Sequence, residues 1–438
     1  MTGSAGLPRI HVIGAGLAGL SAAVSLAGAG AHVVLSEAAK QAGGRCRSYR
    51  DGLLDMVIDN GNHLVLSGNQ AVGRYLRAIG AEDRLTGPGR PEFPFFDLGM
   101  GQRWTLRPND GPLPWWILAA GRRVPGTSFR DYLALATLMR RHPGRRIDEV
   151  IRCDGILWEK FLRPILVSAL NTAPEEASAD LAGALMRETF AKGGRQIYPL
   201  VATPSLAAAF VDPALDRLRR SGVEIRLGRS LRAVRLEADR ATGLTFDEGE
   251  ETLGPRDRVV FALPPWTVQK LLPGVTAPDA FRAIVNAHFR IVPPADAPIM
   301  VGLIGGTAEW VFAFHDRLSV TVSAADHLME TGIDALTRLL WRDVSAVHNL
   351  SGPIPPCRIV KERRATFAAT PAQDAMRPSV RTSWTNLFLA GDWIDTGLPA
   401  TIEGALRSGE AAATLALSGR PATKTTSRRT MDLAILRP

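Results

Sequence analysis

The stretch RIHVIGAGLAGLSAAVSLAGAGAHVVLSEA, Arg9 to Ala38, constrains the fold more than any other part of the chain. Ile10 to Ile13 is a short apolar run that reads as a buried strand, and a glycine turn follows it. Leu17 to Ala27 is rich in Ala and Leu and reads as a helix; after a glycine break, His32 to Leu35 reads as a second strand. Strand, helix and strand in this order form a βαβ unit, whose strands must lie parallel with a right-handed crossover. Gly14, Gly16 and Gly19 make GxGxxG at the turn. The first permits the turn, the second admits a diphosphate to the backbone, and the third lets helix and strand close together. The helix start at Leu17 and Ala18 adds backbone amides and the positive end of the helix dipole. Glu37, followed by Ala38, ends the second strand, where a carboxylate accepts ribose hydroxyls and repels the extra phosphate of NADP. A Rossmann-like, dinucleotide-binding α/β domain is predicted.

The next residues narrow the dinucleotide. In AAKQAGGRCRSYR, Gly43, Gly44 and Arg45 close a loop where a nicotinamide-only unit would enter another helix. Two glycines permit a second close backbone approach, and the Arg offers forked donors to phosphate. GLLDMVIDNGNHLVLSG then carries Asp59, Asn60, Gly61, Asn62 and His63, a polar cluster placed to meet a redox ring. The plainer alternative is a hairpin turn at Asn60-Gly61. More than 300 residues later, NLFLAGDWIDTGLPATIEGALRSGEAA repeats the pattern of apolar strand, glycine turn and helix start, with Gly391, Asp392, Thr401 and Ile402 at the junctions.

Glu37 followed by GGR resembles the extended FAD fingerprint of the flavin amine oxidase and phytoene desaturase superfamily. Gly391-Asp392 with TIEGALRSGEAAA is similar to that superfamily's C-terminal FAD motif. With DNGNHL and RRATFAATP, Arg363 to Pro371, the chain most resembles the squalene-associated FAD-dependent desaturases, regarded as hydroxysqualene dehydroxylases. The likeness is strongest in the first 70 and last 60 residues and loose between about 90 and 210. It implies FAD as cofactor, adenine against the backbone near Leu231, and Asp392 at the ribityl or diphosphate region. Gly61, Asn62 and His63 would then flank the flavin. It also implies reductive loss of an allylic hydroxyl from a long apolar isoprenoid, in squalene or hopanoid biosynthesis, with an electron donor the sequence does not name.

The organisation follows. The chain has 438 residues, 46% hydrophobic and 22% charged, enough for two domains. Residues 1–70, 205–265 and 375–420 are expected to form a discontinuous FAD-binding domain. Residues 71–204 and 266–374 are expected to form an inserted substrate domain of mixed sheet and helices, and 421–438 a C-terminal tail. Helical patterning is read from Asn69 to Leu85 and through SFRDYLALATLMRRHPGRR, and extended aromatic patterning from Glu92 to Leu106.

Gly111 to Gly126 sets Trp115 and Trp116 between prolines and the pair Arg122-Arg123. Core packing explains such a stretch; so does a membrane-surface contact, Trp at the interface and Arg at the headgroups. No run approaches the roughly 18 uninterrupted apolar residues of a spanning helix. A cytoplasmic protein is expected, with the inner face of the membrane as a docking surface.

Lys and Arg number 52 against 43 acids, but without a lysine-rich run or a nucleic-acid signature, so nucleic acid is not an expected partner. Cys46, Cys153 and Cys357 are scattered and form no CxxC, which argues against a disulfide framework and against a bound metal.

An allylic hydroxyl leaves only when protonated, so an acid is required. His63 is the first candidate, with Asp59 and Asp395 as alternatives. A carotenoid desaturase would run the redox step in the opposite direction on the same cofactor motifs. An amine oxidase would set aromatic side chains across the flavin, often a Tyr soon after the GD motif, and DTGLPATIEGALRSG has neither Tyr nor Phe. A non-catalytic FAD-binding protein is the reading outside enzymes.

Overall fold

The computed structural model describes residues 8–418; the expected tail at 421–438 lies outside the described residues. Short apolar runs such as VVL and VVF cannot stay single, because each must satisfy its backbone on both edges while burying both faces. Five of them meet in one parallel sheet. Its order is Glu224–Leu227, His32–Glu37, Arg9–Ile13, Arg258–Phe261 and Leu387–Leu389. Val12 stands beside Leu35 on one side and Val260 on the other. Strands from the start, the middle and the end of the chain thus share one core, and their carboxyl ends open on the same edge.

Two helices seal one face of this sheet. Leu17–Gly28 and Ile402–Ser418 approach closely because small residues line their contact: a Cβ at Gly409 would lie 2.2 Å from the Ala18 carbonyl oxygen. Ser21 Oγ donates to the Leu406 carbonyl at 2.9 Å across the same seam. An antiparallel three-stranded sheet, Leu231–Glu237, Arg240–Phe246 and Gly249–Thr252, sits beside the parallel one.

The second large sheet has seven strands, in the order Cys357–Phe367, Phe281–Phe289, Leu318–Val322, Trp310–Ala313, Met300–Ile304, Phe93–Asp97 and Gln102–Leu106. All pairings are antiparallel except Met300–Ile304 with Phe93–Asp97. Period-two alternation divides its faces. Val285, Ala287, Val320 and Val322 pack with Leu336, Leu340 and Val344 of the helix Ile333–His348. Phe95, Trp104, Trp310 and Phe312 belong to the opposite core, which they share with Phe161, Leu166 and Leu170 of the helical segment before residue 171. The sequence reads as strands at Ile299 to Ile304, Trp310 to Phe314 and Leu318 to Val322 and as a helix from Asp334 to Val347, and each observed element falls within a residue of these bounds.

Three expectations are corrected. The helix expected from Asn69 to Leu85 spans only Gln70–Ile79, because Gly80 takes φ +70° and caps it; Leu85–Thr86 instead pairs with Pro199–Ala202. SFRDYLALATLMRRHPGRR yields a single 3-10 turn, Phe129–Tyr132, and a helix of six residues, Leu133–Leu138. Pro143 and Gly144 deny it a continuation. Asn60-Gly61 is not a hairpin turn. Ser48–Asp51 pairs with Met56–Asp59 around Asp55 at φ +48°, and the chain past Asn60 departs to Leu64–Leu66, which pairs with Pro199–Ala202.

Candidate functional site

At the carboxyl edge of the parallel sheet the glycine loop is held from both sides. Gly14, at φ +105°, donates its N–H to the Ser36 carbonyl at 2.7 Å. A Cβ at Gly19 would lie 1.8 Å from the Gly14 carbonyl oxygen, so this position packs helix against turn. A Cβ at Gly16 meets no atom within 4 Å, so the open side of the loop is here. Leu17 and Ala18 begin the helix and are buried behind it.

Glu37 accepts N–H bonds from Ala15 at 2.7 Å and Ala39 at 2.9 Å, which fixes its carboxylate at the rim of the loop next to exposed Ala38. The Glu224–Leu227 strand continues along this rim. Gly228 donates to the Ala39 carbonyl and Arg229 to the Glu37 carbonyl, which brings half-buried Leu231 to the same end.

Gly43 and Gly44 close the other wall. Gly43, at φ +108°, donates to the Ala15 carbonyl at 2.8 Å and bridges Gly16; a Cβ at Gly44 would lie 3.3 Å from the Gly16 Cα. Arg45 then reaches across 347 residues of sequence: one nitrogen donates to Asp392 at 2.6 Å and another to the Ala365 carbonyl. The two motifs read separately from the sequence are therefore one electrostatic unit. Asp392 is buried, whereas the Arg45 side chain keeps 44% of its surface open, on the space in front of the loop.

The last helix completes the enclosure. Gly391 donates its N–H to Ser408 Oγ at 2.8 Å, and Thr401 Oγ1 caps Gly404 N–H at 3.0 Å just before Ile402 opens the helix. Buried Glu403 accepts from Ala71 and Val72 N–H, at 3.0 Å each, and from Arg407 at 2.8 Å, tying the start of the Gln70–Ile79 helix to the last one. Sequence reasoning missed Ser408 and Glu403; Ser408 lies seven residues, two helical turns, past Thr401, and Glu403 carries no such spacing.

The residues of the loop at 60–63 divide. Gly61 packs its Cα face against the Asn286 side chain. Asn62 does not face the loop: its Nδ2 donates to Thr321 Oγ1 at 3.1 Å and to the Val320 carbonyl, anchoring the hairpin on the seven-stranded sheet. His63 is half-buried close to Arg45 and Asp392; burial first, and the Arg45 charge next, push its pKa down to about 4.

The three acid candidates are not brought together. At neutral pH the His63 imidazole is uncharged, which makes it a hydrogen-bonding group and a poor acid. Asp59 is buried and accepts from Ser48 Oγ at 2.5 Å and Leu206 N–H at 2.9 Å, with Arg317 at 3.5 Å, so its lone pairs serve the joint between hairpin and helix. Asp395 is exposed and accepts from Gly397 N–H within its own turn.

An open glycine face, a rim carboxylate, a half-open arginine and a helix N-terminus together suit an extended dinucleotide with two phosphates. The Flavin containing amine oxidoreductase model matches residues 17–417. The chain belongs to this family. It is 50% identical to a hydroxysqualene dehydroxylase of Rhodopseudomonas palustris over 93% of this chain and 98% of that one. The likeness to a 15-cis-phytoene desaturase of an Oncidium hybrid is weaker, 25% identity over 92% of this chain and 76% of the other. A solved oxidoreductase of Methanosarcina mazei shares the fold with a TM-score of 0.70 at 15% identity, covering 93% of this chain and all of that one. FAD is the cofactor that the cradle fits. Trp393, the aromatic residue beside the GD motif, is buried and donates its indole N–H to the Leu263 carbonyl at 2.9 Å, so it forms no aromatic wall of the amine-oxidase kind.

Proposed function

We propose that this protein removes the allylic hydroxyl of hydroxysqualene reductively, with FAD as cofactor, and releases squalene. The likeness to a hydroxysqualene dehydroxylase along nearly the whole of both chains carries this reading. The desaturase alternative has half that identity behind it.

In this reading Gly14, Gly16, Leu17, Ala18, Gly43 and Gly44 receive the diphosphate, Glu37 with Ala38 takes the adenosine ribose, and Leu231 flanks adenine. Arg45 holds Asp392 in place and turns its open face to the cofactor. Gly61, His63, Gly391, Thr401 and Ile402 surround the ring. When bound, FAD supplies the hydride chemistry. The chain's own part is to orient substrate, exclude water and place a proton at the leaving oxygen. The discontinuous division of the chain into FAD and substrate domains at the boundaries given above belongs to the same proposal.

A long isoprenoid is drawn from a bilayer in this reading, and an exposed apolar patch supports such a contact. Leu113 (77% exposed), Trp115 (50%), Leu118 (67%), Phe129 (46%) and Leu133 (61%) stand out from the segment after residue 111, while Trp116 is buried against Tyr132. Arg122 lies over the Trp115 ring at 4.8 Å and Arg130 over Phe129 at 5.9 Å, so cations rim the apolar patch as headgroup contacts would require. Among the described residues no helix is long and apolar enough to cross a membrane. We read the protein as resting on the inner face of the cytoplasmic membrane.

The deciding assay is anaerobic. Pre-reduced enzyme should convert hydroxysqualene to squalene, and oxidised enzyme should leave phytoene-like polyenes unchanged; the opposite pattern makes it a desaturase. Cosedimentation with anionic vesicles should fall when Leu113, Leu118 and Leu133 are replaced by Ser, and unchanged binding removes the patch from the account.

A further inference from the structure

With His63 neutral, Asp59 engaged and Asp395 in a surface turn, the reaction still lacks an acid. We infer that Glu309 is the proton donor for the departing hydroxyl, an inference that rests on the dehydroxylation reading. Glu309 immediately precedes the Trp310–Ala313 strand, on the wall of the second sheet. Its backbone N–H donates to the Thr321 carbonyl at 3.3 Å and its carbonyl accepts from Leu303 N–H at 2.8 Å. Its carboxylate accepts from Ser323 N–H at 2.7 Å. Ala308, Trp310 and Ser323 are all buried, and Glu309 is half-buried among them.

Two runs of hydrogen bonds connect that wall to the cofactor cradle. In the first, Trp310 stands in register with Thr321, whose Oγ1 takes Asn62 Nδ2 at 3.1 Å and donates to Asn286 Oδ1 at 2.9 Å; His63 follows Asn62 directly. In the second, Ala324 N–H donates to Asn171 Oδ1 at 2.6 Å, and Asn171 Nδ2 donates to Thr366 Oγ1 at 3.0 Å. Ala365, next in the chain to Thr366, gives its carbonyl to Arg45. The loop at 60–63, the Leu318–Val322 strand, Asn171 and residues 365–366 thus link the Arg45–Asp392 pair to Ser323, whose N–H holds the Glu309 carboxylate. Apolar side chains line the neighbouring helix, where Trp310 Nε1 donates to Ser168 beside Ile165.

The protonation state suits the task. Burial pushes the Glu309 pKa up to about 7, against the Ser323 hydrogen bonds and the Arg163 charge, which pull it down. Other charged groups near its segment are otherwise engaged: Asp343 of the Ile333–His348 helix takes Thr307 and Ala308 N–H. No ion pair within 4 Å involves Glu309 among the described residues. The step balances: the allylic C–O bond breaks, a hydride from reduced flavin forms the new C–H bond, and the Glu309 proton completes water. Carbon is reduced, flavin is oxidised, and the Glu309 carboxylate regains its proton from solvent.

Glu309→Gln tests this, because Gln retains an acceptor for Ser323 N–H but has no acidic proton. Single turnover of pre-reduced enzyme with hydroxysqualene should slow about 100-fold or more, with flavin content and thermal midpoint unchanged. The wild-type rate should fall above pH 7, and the residual Gln rate should lose that limb. Infrared difference spectra should show a protonated-carboxyl band that titrates near pH 7 in wild type and is missing in the variant. A variant with the wild-type rate and profile overturns the donor role, as does a parallel loss of flavin and stability, which would make Glu309 a cap on the sheet. A wild type inactive on hydroxysqualene overturns the dehydroxylation reading and the donor role with it, whereas an active wild type with an unaffected variant overturns the donor role alone.

Discussion

Removing either partner of the Arg45–Asp392 pair should have unequal effects, and the inequality follows from their burial. The two charges meet at 2.6 Å, where Coulomb's law with an effective dielectric of about 20 gives roughly 6 kcal/mol. The Arg45 side chain is 44% exposed and Asp392 only 8%, so water screens the pair and about 2–3 kcal/mol survives as net interaction. Arg45→Met strands a buried carboxylate and should cost about 3 kcal/mol of apoprotein stability. Asp392→Asn leaves a guanidinium that water can reach and that still holds the Ala365 carbonyl, so about 1.5 kcal/mol is expected. The double variant should fall short of the sum by about 2 kcal/mol. Urea unfolding of the four apoproteins measures this cycle. A flavin titration should show Arg45→Met binding FAD at least tenfold more weakly, about 1.4 kcal/mol. Equal single costs, or a double variant additive within about 0.5 kcal/mol, would refute the argument that these motifs act as one unit.

Gly16→Val should fold and stay colourless, since the protein leaves its Cβ position open, whereas Gly19→Ala should fail to fold because its Cβ falls on the Gly14 carbonyl; flavin absorbance and circular dichroism separate the two. His63 and His288 are held at about 4 and about 3, chiefly by burial, so the folded state binds fewer protons than the unfolded chain below the ordinary histidine value near 6.5. Stability therefore rises with pH across about 4 to 6.5 and is lost as pH falls through that window, at about 1.4 kcal/mol per pH unit per group. The histidine share of the rise in urea midpoint from pH 5 to pH 7 should shrink when both are replaced by Asn, while His348, also held at about 4, keeps its share and Glu309, raised to about 7, opposes it. Glu403→Ala uncaps the Gln70–Ile79 helix and leaves Arg407 with Glu188 as its remaining carboxylate, and should lower stability by about 2 kcal/mol by thermal unfolding, with no change in the enzyme's pH profile.

The readable parts of this chain were those where chemistry is local. GxGxxG, Glu37 and GGR are each a backbone problem solved within a few residues, so turn, helix start and rim carboxylate could be inferred before any fold was known. The GD segment could be read as a second loop of the same kind. The strands between 299 and 322 were legible too, and in the fold their period-two alternation divides one buried face from the other. Local patterning misjudged the segments after Asn69 and Ser128, where a capping glycine and a Pro-Gly pair outweighed helical spacing.

What only the tertiary structure decided is which groups face one another. That Arg45 grips Asp392, that Glu403 caps a helix 331 residues earlier in the chain, and that Asn62 turns to the sheet rather than the cradle depend on strand order and packing between distant segments. The acids show the same division. In sequence His63 leads Asp59 and Asp395 as the acid, because type and position give a side chain its chemistry in water. Burial and neighbours set its charge: they leave His63 neutral, occupy Asp59, expose Asp395 and raise Glu309, a residue no motif marks. Sequence alone determined the cofactor's loops; desolvation, which exists only once the chain is packed, decided the protonation states around them.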